Sequence, residues 1–193
     1  MRFPVHYSAV SSSEPTKPRS CQFDHDTLQK SYEGPGSGAR TAYNPSMDSP
    51  PTNYDARYLG GILFFNAHDF FQAHEVWEGL WLELAGGPDR RFIQGLIQAA
   101  VALYHFGNGN FPGARKLYQT SRGYMEPCGS PYLGLDSTRF WEQMEKCFRP
   151  IVNEPEPKRE LRPDESLIPK IELCPPPESW PDLADFETEE EDE

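Results

Sequence analysis

Between Phe70 and Trp81 the sequence reads FFQAHEVWEGLW, which sets His74 and Glu75 side by side among bulky aromatics and places Glu78 one helical turn beyond His74. An imidazole and a carboxylate at i and i+4 can chelate a divalent metal such as zinc or iron, or work together as an acid/base pair. The bland outcome is a helix core whose polar groups satisfy one another through hydrogen bonds. The motif is HExxE and not the metalloprotease HExxH, since Glu78 stands where the second His would be, so peptidase chemistry is poorly supported. A di-iron carboxylate site is weaker still, because it needs Glu-x-x-His pairs with carboxylates from several helices.

Projected at 100° per residue, His74 and Glu78 fall about 40° apart among Phe70, Phe71, Trp77 and Trp81, inside the expected apolar face, while Glu75 begins the polar edge. Buried carboxylate and imidazole groups need partners. The next apolar segment, RRFIQGLIQAAVALYHF, offers Gln94, Gln98 and His105 as a single stripe about 40° wide on an otherwise apolar helix. The two stripes are therefore expected to face each other across a bundle. Three readings stay open. One is a register-fixing polar network. Another is a metal site with His74, Glu78 and His105 as ligands, and with Glu75, Gln94 and Gln98 orienting them or lining the pocket. The last is a metal-free small-molecule pocket in which Glu78 or Glu75 acts as a base. No cofactor is certain; zinc or iron would suit the His-His-carboxylate set. The reaction, and any catalytic residue, stay unassigned.

The elements that must position these groups follow from a helical period that persists from Tyr54 to Val152. Turn signals at NAHD, AGGPD, GNGN and EPCGSPYLGLDS divide it into five helices near residues 55–66, 69–84, 89–106, 111–124 and 137–150. Pro88 and Pro112 suit helix starts, and Asn110 and Asp136 suit caps. Short loops make successive helices antiparallel, giving an all-α bundle. FNAHDFFQAHEVWE from Phe65 aligns in character with FGNGNFPGARKLYQ from Phe106, a pairing similar to tetratricopeptide-like hairpins, though two copies with the wrong period do not make a repeat array. In that alignment His74, Glu75 and Glu78 correspond to Arg115, Lys116 and Gln119, so the polar trio is an addition to a shared scaffold. Gly79 and Gly95 interrupt helices at a cost of ~1 kcal/mol each relative to Ala and are expected to permit close helix approach.

The flanks differ from this core. With 20 prolines in 193 residues and a mean hydropathy of -0.70, only part of the chain is expected to pack, and residues 1–53, rich in Ser, Pro and Gly, read as disordered. Residues 153–193 hold 15 acidic and 4 basic residues, so nearly all of the net charge of -12 sits in this tail. That balance, with no basic stripe, argues against nucleic acid as a ligand. Without an apolar leader or a membrane-length apolar run, a soluble cytoplasmic protein with no membrane partner is expected. Within the tail, SLIPKIELCPPPESWPDLADF places Leu167, Pro169, Ile171 and Leu173 on one side of an extended chain; an arm docked around 167–183 is weighed against an unstructured tail, which the prolines favour. Cys21, Cys128, Cys147 and Cys174 are far apart and read as free thiols.

The stretches YLGGILFFNAHDFFQAHEVWEGLWLE and RRFIQGLIQAAVALYHFGNGNFPGARKLY, with the motifs F-x-AHE-x-x-E, QGLIQ-x-A-x-ALYH and GN-x-x-GA, resemble the bacterial domain-of-unknown-function family 309 from about Tyr58 to Leu117. The resemblance implies an all-α bundle and a polar centre at His74, Glu75, Glu78, Gln94, Gln98 and His105; it implies no reaction. Two function classes follow. One is a metal- or ligand-binding protein with a cavity between the second and third helices. The other is an interaction module, for a protein partner or a homo-oligomer, with an exposed aromatic patch and the polar residues serving only as internal bonds.

Overall fold

Helices begin where the sequence supplies an acceptor for the first turn's free N–H groups. In the computed structural model, which describes residues 53–154 and 156–186, α1 spans Ala56–Asn66, α2 Phe70–Glu83, α3 Gly87–Gly107, α4 Phe111–Met125 and α5 Ser137–Val152. Asp55 caps α1 by accepting from the Arg57 N–H at 2.8 Å, and Asp69 caps α2 through Gln72 at 3.1 Å. Asn110 accepts from Gly113 at 3.2 Å and Asp136 from Arg139 at 3.0 Å. Pro88 and Pro112 stand in the first turns of α3 and α4, where the missing N–H has no partner to lose. Helix α5 runs past its expected end at residue 150 because Ile151, fully buried, holds the last turn despite Pro150.

Each helix packs on its successor in sequence, and the result is an all-α bundle. Among the described residues the extended pairing is limited to two isolated bridges, Tyr132–Leu135 and Leu135–Leu173. Helix α3 is buried along most of its length, with Phe92, Leu96, Ala99, Ala102, Leu103 and Phe106 all sealed from solvent. No helix among the described residues is long and apolar enough to cross a membrane.

Two glycines set how closely the helices approach. Trp77 on α2 is fully buried and its indole N–H donates to the Tyr58 carbonyl on α1 at 3.1 Å; a Cβ on Gly61 would lie 2.1 Å from that indole nitrogen. Gly95 does the same between α3 and α4, where a Cβ would meet Met125 Cγ at 2.3 Å and the Ser121 carbonyl oxygen at 3.1 Å. The expectation for Gly79 fails: a Cβ there would meet nothing within 4 Å.

The chain after α5 corrects the unstructured reading of the tail. Ile168, Pro169, Ile171 and Leu173 are buried, while Leu167 is exposed because a 3-10 turn at Glu165–Leu167 breaks the extended period. The prolines do prevent a strand ladder, and a side chain replaces it. Asn66, the last residue of α1, donates from Nδ2 to the Ile171 carbonyl at 2.9 Å and accepts from the Ile171 N–H at 2.8 Å, pairing both backbone groups as a neighbouring strand would. Farther along, the Cys174 N–H donates to the Gly134 carbonyl at 2.8 Å, the Tyr54 hydroxyl donates to the Pro175 carbonyl at 2.8 Å, and the Phe186 ring lies over Gly60. Cys128 and Cys147 are free thiols as expected, and burial pushes Cys147 up to about 12. Cys174 is disulfide-bonded, which corrects the free-thiol reading at that position. The expected disorder of residues 1–52 and the acidic end from 187 onward lie outside the described residues.

Gly61→Ala is expected to lower stability by about 1–3 kcal/mol through overpacking against Trp77, whereas Gly79→Ala should raise it by about 0.4–1 kcal/mol; urea midpoints of the two variants check both signs. Asn66→Ala should release the arm at a cost of about 1–3 kcal/mol, since it leaves a buried backbone pair unmade. Trypsin should then cut at Lys170 much faster while helical circular dichroism is unchanged.

Candidate functional site

Helix α2 is rotated by what it must bury. Ala73, Val76, Trp77 and Leu80 form its inward face, a face centred about 100° around the helix from His74. The expected face takes in Phe70, Phe71, Trp77 and Trp81, but Phe71 is 50% exposed and Trp81 half-buried. His74 therefore lies on the shoulder of α2, and Glu75 and Glu78 on its outer side. The side chains are 22% exposed for His74 and 49% for Glu75, and 48% for Glu78. The polar centre is thus a surface cluster and not a buried one.

Its geometry is still specific. One ligand atom from each of His74, Glu75 and Glu78 can be chosen so that all three lie within 4.8 Å of one another. His74 Nδ1 is 2.9 Å from Glu75 Oε1, and His74 Nε2 is 3.6 Å from Glu78 Oε2. The Nδ1 atom is shut off from solvent and makes no hydrogen bond, so the 2.9 Å approach is an electrostatic contact without the alignment of a ring N–H bond. The other ring nitrogen, Nε2, faces the Glu78 carboxylate across 3.6 Å, beyond hydrogen-bonding distance. Donor atoms about 2.1 Å from a tetrahedral cation stand about 3.4 Å apart, so Nε2 and Oε2 are spaced as a chelating pair. Glu75, on the opposite ring nitrogen, holds the place of a carboxylate that orients a metal-bound imidazole.

The other expected members are elsewhere. Gln98 Oε1 accepts from the Thr120 hydroxyl on α4 at 2.6 Å, and His105 Nδ1 is 3.3 Å from the amide of Asn110, which caps α4. The stripe on α3 is turned toward α4, so it does not meet the stripe on α2. Gln94 is half-buried on the same helix. What joins the two histidines is a row of rings: His74 to Phe71 at 6.0 Å, Phe71 to Tyr104 at 6.0 Å, and Tyr104 to His105 at 6.2 Å. A cavity does lie against α2 and α3, but toward the C-terminal end of α2 and the N-terminal end of α3. It is lined by Leu80, Leu84, Asp89 and Ile93 together with residues of α1 and the 131–134 loop, and not by His74, Glu78 or His105. Tyr54, Asp55 and Asp89, which border it, carry no spacing that sequence patterns would single out; they converge only through the tertiary fold.

These features define a class, an all-α bundle carrying one imidazole and two carboxylates on the shoulder of its second helix. The segment that holds them, residues 58–117, matches the model of a family described as "Domain of unknown function (DUF309)", so the expected resemblance is borne out over that segment. The chain is 35% identical over 101 residues to "Uncharacterized protein YpuF" of Bacillus subtilis (strain 168), covering 51% of this chain and 58% of that protein. It is 27% identical over 130 residues to an "Uncharacterized protein" of Aquifex aeolicus (strain VF5), covering 61% of this chain and 39% of the other. The matches thus span roughly half the length of these curated relatives.

Because both carboxylates are half in solvent, Glu75→Gln and Glu78→Gln should each change stability by less than about 0.5 kcal/mol. Glu78→Ala should differ little from Glu78→Gln. Urea unfolding checks this, and a loss of 2 kcal/mol or more in any of the three would restore the register-fixing network.

Proposed function

We propose that the protein binds a divalent cation of the zinc, iron or manganese type at the shoulder of α2, with His74 Nε2 and Glu78 as ligands and Glu75 as the carboxylate that orients the ring. The observation that supports this is the 3.6 Å separation of Nε2 and Glu78 Oε2, too long for a hydrogen bond and suited to a shared cation. Borderline imidazole and hard carboxylate donors together fit these metals better than copper(I) or magnesium. With His74 and Glu78 as ligands, the remaining positions would fall to water or to an incoming substrate, one protein ligand fewer than in the usual catalytic zinc site. His105 is not required as a ligand. With a metal on Nε2, the ring would carry its proton on Nδ1, beside Glu75.

A second reading, an interaction module, is favoured by Phe71 and Tyr104, which are 50% and 43% exposed with ring centroids 6.0 Å apart. Adjacent exposed aromatics of this size serve as anchors for a protein partner. The two readings share one surface and are separated by their dependence on metal.

Isothermal titration with zinc and manganese is expected to give about one equivalent for the wild type and no saturable site for His74→Ala or Glu78→Ala. Glu75→Gln should bind about 10–100-fold more weakly. Unchanged stoichiometry and affinity in His74→Ala would overturn the assignment.

A further inference from the structure

We propose that the cavity bordered by the C-terminal arm is a binding site for a small organic cation with a one-ring apolar body. It is separate from the His74 cluster and measures about 300 Å³, the lower end of the range for small-molecule sites. Its walls come from five parts of the chain: Tyr54, Asp55 and Tyr58 at the start of α1, Leu80 and Leu84 from α2, Asp89 and Ile93 from α3, the 131–134 loop, and Cys174 of the arm.

The chemistry of the lining selects the ligand. Both tyrosine hydroxyls are already used, Tyr54 donating to the Pro175 carbonyl at 2.8 Å and Tyr58 to the Leu133 carbonyl at 3.0 Å, so these residues offer ring surface. Leucine, isoleucine and proline supply the rest of the apolar wall. The charged residues among the described lining are Asp55 and Asp89, and none is basic. Two nearby arginines, Arg90 and Arg57, are held by other groups. Arg90 donates to the carbonyls of Trp81 at 2.5 Å and Leu84 at 2.6 Å and lies over the Trp81 ring. Arg57 is shared between Asp55 at 3.3 Å and Glu83 at 2.8 Å, so that trio keeps one net negative charge. Asp89 accepts from the Tyr132 hydroxyl, a neutral donor that leaves its charge in place. An apolar pocket with aromatic walls, the Asp89 carboxylate at its border and a net negative Asp55–Arg57–Glu83 group beside it attracts a cation by charge and by the ring faces together.

The far wall is held for this geometry. Leu133 has φ 46° and Gly134 φ 76°, a left-handed pair that a leucine does not adopt without support. Support comes from Tyr58 on one side and from the arm on the other, through the Cys174 to Gly134 hydrogen bond at 2.8 Å. A Cβ on Gly134 would lie 2.2 Å from the Tyr54 hydroxyl, so the loop and Tyr54 fit only with glycine there.

Titration calorimetry of the full chain with phenethylammonium, 2-phenylethanol and 3-phenylpropionate tests the assignment. Phenethylammonium should bind saturably and at least tenfold more tightly than the alcohol, and the carboxylate should not bind. Asp89→Asn should reduce the affinity for the cation at least fivefold while leaving that for the alcohol unchanged. Asp55→Asn, which keeps an N-cap side chain on α1, should act in the same direction; circular dichroism establishes that both variants are folded. Equal binding of cation and alcohol, preference for the carboxylate, no effect of either variant, or no saturable binding of phenethylammonium up to about 10 mM, where even millimolar affinity registers, would each overturn it.

Discussion

The seating of Trp77 fixes the rest of the molecule. Trp77 is fully buried and its indole N–H must be satisfied, and the Tyr58 carbonyl can accept from it only because Gly61 leaves room. Once Trp77 points inward, the rotation of α2 is no longer free. Ala73, Val76 and Leu80 follow it to the core, and His74, Glu75 and Glu78 are carried to the shoulder and outer side. The exposure of the cluster is thus a by-product of packing the indole, and the cluster costs the core no desolvated charge.

Helix boundaries were legible because their causes are local. Asp and Asn caps, prolines in first turns and three-residue connections act within a few residues of where they stand, and the starts of α4 and α5 fall where Asn110 and Asp136 put them. The facing of helices was less legible. A projection shows which residues share a side, but the centre of the buried side depends on neighbours, and counting Phe71 and Trp81 as core displaced it toward His74. The stripe of Gln94, Gln98 and His105 is real as a stripe, yet Thr120 and Asn110 attract it to α4. The first choice depends on how Trp77 seats against Gly61 and the second on how α3 and α4 cross at Gly95.

The arm shows a different limit. Its prolines argue correctly against a ladder, yet at Ile171 a single amide stands in for one. Asn66 supplies both partners that a strand would supply to Ile171, while Ile168 and Leu173 take up buried positions on either side. Such a substitution leaves no periodic trace, because one residue at a helix end does what an alternating stretch would otherwise do.

That same contact bears on the order of assembly. The helices meet their immediate successors, whereas Asn66 and Ile171 are 105 residues apart in sequence. Short-range contacts form quickly, and closing a long loop must wait for the entropy it costs to be recovered. On a growing chain the bundle can be complete before the arm has been synthesised, so the loop after α4 meets its support last. The folded core and the finished cavity are in this sense two different products, separated by the time taken to translate the residues from α5 to Pro175.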